Sequence, residues 1–130
     1  MIEQDYIMRL IKEMVRALLK LFFGIDTAAA TVELLEKSEQ RETLHTLLDL
    51  VDRGNINEAE NRLYDLISTK TKDTLEIAVL FYACLNEKSD DFLAENDFSR
   101  KEIKEGLKNV ISEYELGELA DVFLMDSPVD

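Results

Sequence analysis

One cysteine, one proline, one histidine and four glycines in 130 residues leave little with which to staple, break or metallate this chain. A lone Cys84 cannot close an intramolecular disulfide, and its place inside the apolar run Ile77 to Leu85 fits a buried, inert thiol in a reducing compartment. The proline is Pro128, so nothing in the chain interior removes a backbone donor from a helix, and the scarcity of glycine argues against turn-rich β architecture. Positive charge is also short: 15 basic against 28 acidic residues give a net charge of −13, the wrong sign for a partner bound through its phosphates. No apolar run approaches the roughly 20 residues of a membrane span. The run Ala17 to Ile25 ahead of Ala28–Ala30 is not read as a secretory leader, because Glu3 and Asp5 precede it and Lys20 interrupts it. Together these features point to a cytoplasmic protein.

What the chain does have is core-forming material. Apolar residues make up 46% and charged residues 33%, enough apolar surface to offset the entropy of ordering one domain over residues 1–130. The spacing predicts a first helix from an N-cap at Asp5 through about Phe23, with Gly24 past its end. Ile7, Leu10, Ile11, Met14, Val15, Leu18, Leu21 and Phe22 repeat at i, i+3, i+4 as a buried face. On the opposite side Arg9, Lys12, Arg16 and Lys20 fall within an arc of about 80°. Once Met8, Ala17 and Leu19 are counted, the apolar arc is about 200° wide, roughly twice what a surface helix uses. The margin of that arc, at Met8, Leu19 and Phe23, is the expected contact with a second copy of the chain, the alternative being cover by another helix of the same chain. The four cations are either a solvated face or the polar part of that interaction surface, docking onto acidic groups.

Further elements follow from their caps. A second helical stretch opens at Asp26 or Thr27, is open to interruption at Ser38, and resumes through Leu44, Leu47, Leu48 and Val51 to Gly54. Asn55 with Glu58, and Asn57 with Glu60, have capping-box spacing for a third helix through Leu63 and Ile67, antiparallel to the second across so short a turn. Asp73 and Glu76 precede a segment that is apolar all round through Leu85 and so should lie centrally. Ser89 caps a short turn, Ser99 with Glu102 forms the clearest capping box, and Leu116 to Leu124 reads as a last short helix before a frayed 126–130. The expected fold is an all-α bundle of about seven helices.

Candidate chemistry is thin. His45 shares a helix face with Glu42 and Asp49, a triad that could hold a metal or line an acidic small-ligand pocket. A metal site normally needs a further ligand and a dry surrounding shell, so a surface histidine among acids is the preferred reading. The pairs Asp90–Asp91 and Glu95–Asp97 lack calcium-loop spacing, and no phosphate-loop, dinucleotide or nucleophile-elbow motif occurs. No catalytic residue, metal ligand or cofactor is therefore assigned. The expected function is a non-enzymatic, self-associating interaction module, most simply a homodimer. An acidic ligand or metal site near His45, and attachment to a membrane surface through the basic helix, are the alternatives. A net charge of −14 outside residues 1–24 opposes the membrane alternative.

Two resemblances accompany this reading. The hairpin Leu44 to Ile67, with Gly54-Asn55-Ile56-Asn57-Glu58-Ala59 at its turn, resembles a tetratricopeptide repeat unit, with bulky Leu47 and Leu66 where that motif prefers small residues and no second copy at its period. Gln4-Asp5-Tyr6-Ile7-Met8-Arg9 through Phe23-Gly24, together with Asn96-Asp97-Phe98-Ser99-Arg100-Lys101-Glu102, resembles a family of small bacterial proteins of unknown function. That resemblance implies a helical bacterial protein and no site residues.

Overall fold

In a computed structural model, which describes residues 2–114 and side chains from Asp5 onward, every regular element is helical. Six α-helices occur among the described residues: α1 (Ile2–Phe23), α2 (Ser38–Asp52), α3 (Ile56–Ile67), α4 (Lys72–Asn86), α5 (Asp90–Glu95) and α6 (Arg100–Glu113). A single 3-10 turn, Val32–Leu34, sits between α1 and α2. The expected seventh helix, Leu116 to Leu124, and the tail 126–130 lie outside the described residues.

The all-apolar segment becomes the central helix, as expected. Eleven residues of α4 are buried, including Phe81 and Tyr82 with no exposed surface, and α1, α2, α3 and α6 all pack on it. Asn86, at the end of α4, donates from Nδ2 to the carbonyl of Met8 at 3.1 Å, while Lys72, at its start, lies over the Phe23 ring at 5.6 Å. These contacts at opposite ends make α1 and α4 antiparallel. Arg100 at the head of α6 donates to the Asn86 carbonyl at 2.7 Å, and Tyr114 just past its end meets Thr74 at 2.5 Å, so α6 also runs against α4 and alongside α1.

Helix ends follow the punctuation of the sequence in most places. Gly54 adopts φ +87° and closes α2 with bonds from its own amide to Val51 and from the Asn55 amide to Leu50, the paired pattern that satisfies the last carbonyls. Gly24, at φ +68°, ends α1 with a bond to the Lys20 carbonyl. Ser89 and Ser99 accept from the amides of Phe92 and Glu102, and Glu102 returns a bond to the Ser99 amide, completing the capping box.

Four expectations need correction. α1 begins at Ile2 rather than at a cap on Asp5. Thr71, not Asp73, caps α4, because its hydroxyl accepts from the Thr74 amide at 3.1 Å while Asp73 is held in an ion pair with Lys37 at 2.5 Å. Asn55 precedes α3 without a side-chain cap bond. The stretch from Asp26 to Lys37 is not helical except for its 3-10 turn. There the Thr27 hydroxyl accepts from the Ala29 amide at 3.0 Å, a local alternative to helical bonding, and fully buried Leu35 is pinned by Arg41 donating to its carbonyl at 2.6 Å.

Candidate interaction surface

The predicted surface on α1 splits when folded. Leu19 has no exposed surface, because Gly24 turns the chain back and the Ile25 amide bonds to the Leu19 carbonyl at 3.1 Å, laying residues 25–35 against that side of the helix. It is a core residue rather than a margin residue. Met8 and Phe23 are half-buried, the first with its carbonyl held by Asn86 and the second beneath Lys72. Leu21, read from sequence as part of the buried face, is instead 61% exposed, the large hydrophobic left most open among the described residues. The buried face is rotated toward the returning loop, so the open apolar margin lies on the other side, where Leu10 and Ala17 are half-buried in line with Leu21.

The cations are not all free. Arg16 reaches Asp26 at 3.3 Å, Lys20 reaches the same carboxylate at 3.9 Å, and Lys12 reaches Glu87 at 3.5 Å. All of these side chains are at least half exposed, where such pairs contribute under about 1 kcal/mol and exchange readily. Arg9 has no ion pair among the described residues. Between α1, the end of α4 and the loop Thr27–Thr31 lies a cleft of about 520 Å³ with Val15, Ala83 and Ala28–Ala30 as apolar lining and Lys12, Arg16, Glu13 and Glu87 as polar lining. Its loop wall lies in the stretch expected to be helical from Asp26 or Thr27 onward, and a helix there would not form it.

Other candidate groups stand apart from this region. His45, Glu42 and Asp49 are exposed on the outer side of α2 and do not line the cleft. Among the described residues no group of three or more His, Cys, Asp or Glu side chains is placed to hold a metal ion. Burial pushes the Cys84 thiol up to about 11, which disfavours the reactive thiolate. In the interior, Tyr82 donates its hydroxyl to Glu60 Oε2 at 2.6 Å, and desolvation raises the Glu60 carboxyl above the usual range despite that bond. Arg100 is 4% exposed and donates to Asn86, Lys88 and Asp90, fixing the α4–α5 turn. No buried side-chain nitrogen or oxygen among the described residues lacks a partner.

Residues 1–115 match the model of a family of unknown function, DUF6483, and the chain belongs to that family. No curated protein and no solved structure matches the chain.

Proposed function

We propose that this member of a family of unknown function is a non-enzymatic helical interaction module that associates with itself, with α1 as its contact element. The observation that carries the reading is the apolar stripe on the open side of α1, where half-buried Leu10 and Ala17 run in line with Leu21, 61% exposed: contiguous apolar surface of this kind supports a contact on an assembled chain. The α2–α3 hairpin, tetratricopeptide-like in its turn, serves as scaffold in this reading because it occurs once and packs on α4. A bacterial cytoplasmic setting belongs to the same reading, consistent with one half-buried free thiol.

Small-ligand binding is the second reading, and the cleft beside α1 supports it better than His45 does. Its volume falls in the range of ordinary ligand pockets, and its lining is apolar with a few charged groups. Membrane attachment has weaker support, since three of the four cations already pair with acids. Light scattering across a dilution series tests the preferred reading. A mass that rises from one chain toward two with concentration supports it, and one chain at every concentration overturns it.

A further inference from the structure

The pattern along the open side of α1 is self-complementary. At 100° per residue Leu10, Ala17 and Leu21 lie within an arc of about 40°, spread over about 16 Å of helix. Leu10 and Ala17 are half-buried and Leu21 is exposed. Beside that stripe, toward solvent, run Glu13 and Lys20, which lie within about 20° of one another on the helix and are both exposed. Glu13 has no ion pair among the described residues, and Lys20 has only the 3.9 Å contact to an Asp26 that Arg16 holds more closely.

Consider a second α1 laid antiparallel on the first. The midpoint between Leu10 and Leu21 and the midpoint between Glu13 and Lys20 differ by one residue, about 1.5 Å along the axis. One two-fold axis near Ala17 therefore brings Leu21 against Leu10 of the other copy and Lys20 against its Glu13, twice each. The small side chain at the axis permits close approach of the two helices, and Leu10 and Leu21 fill the grooves on either side. A parallel arrangement would put the Glu13 and Lys20 of the two copies on opposite flanks of the stripe, out of reach of one another, and so would form none of these pairs. The antiparallel direction is the one in which the charges register the contact.

We infer that the stripe Leu10–Ala17–Leu21 is an isologous interface on which a second copy of this chain docks with its α1 antiparallel, registered by reciprocal Glu13–Lys20 pairs. This rests on the self-association proposed above. It goes further by fixing which face of α1 is used, in which direction, and by which charges. The stripe is narrow, so the dimer is a weak one whose population depends on concentration, in the class of small interfaces.

Charge exchange tests it. Sedimentation or light scattering is run on the full chain as wild type, Glu13→Lys, Lys20→Glu, the double variant and Leu21→Asp, with circular dichroism confirming helix content. Because all three positions are exposed, the variants keep the fold. Each single charge variant places like charges together and raises the dimer dissociation constant about tenfold, the double variant restores it to within about twofold, and Leu21→Asp abolishes the dimer. A wild type monomeric at all concentrations overturns the self-association reading and the interface with it. A dimer that persists in Leu21→Asp, or that the double variant fails to restore, leaves self-association standing and overturns this interface.

Discussion

Gly106 sits inside α6, where replacing glycine by alanine ordinarily stabilises a helix by about 1 kcal/mol. Here the sign should reverse. A Cβ at position 106 would lie 2.5 Å from Cζ and Oη of Tyr82 and 2.6 Å from its Cε1. Ordinary carbon contact is near 3.5 Å, so the ring must move by about 1 Å. It has nowhere to go: Tyr82 is fully buried, packs edge-on against Phe81 with ring centres 5.0 Å apart, and is held by the 2.6 Å bond to Glu60. Overpacking costs roughly 1–3 kcal/mol and loss of a bond to a charged group roughly 1.5–3 kcal/mol. Set against the helix gain, Gly106→Ala should destabilise by about 2–4 kcal/mol, read as a lower urea midpoint at unchanged slope. In a Tyr82→Leu background the same change should cost at least about 1 kcal/mol less, since the ring it strikes is gone. A Gly106→Ala variant as stable as wild type would refute the close packing of α4 on α6.

Three further outcomes follow from the same structure. Burial raises the Glu60 carboxyl, so the folded chain holds that proton more tightly than the unfolded one. The corresponding stability is full below the ordinary glutamate range and is lost as pH rises through the raised value. Glu60→Gln, which can still accept from Tyr82, should therefore flatten that loss between acid and neutral pH, and an unchanged pH profile in urea unfolding would count against it. Phe81→Ala should cost about 3–5 kcal/mol, measured by the same unfolding assay, and a cost under about 1 kcal/mol would place α4 at the surface. Ser99→Ala removes the hydroxyl half of the capping box and should cost about 1 kcal/mol, with hydrogen exchange accelerating first in the opening turn of α6.

The helices were legible where local chemistry and burial agree. α4 has apolar residues on every side, which only a central position satisfies, and Gly24, Gly54, Ser89 and Ser99 carry their punctuation in one or two residues. The segment Asp26 to Lys37 was misread because its alanines favour helix, whereas the Thr27 hydroxyl bond and the long-range anchoring of Leu35 decide the conformation. The exchange of Leu19 and Leu21 has the same origin. Both lie near the edge of a wide apolar arc, and which edge is covered depends on where the loop after Gly24 returns, a tertiary fact absent from the helix's own periodicity. The cleft could not be foreseen for that reason, since one of its walls is that loop.

Placing a cysteine on the proposed two-fold axis tests the central claim most directly. In a Cys84→Ser background, Ala17→Cys should oxidise to a disulfide-linked dimer, because each new thiol faces its own copy across the axis, while Thr46→Cys on the exposed side of α2 should remain a monomer under the same conditions. An Ala17→Cys chain that cross-links no faster than the Thr46→Cys control would contradict the account.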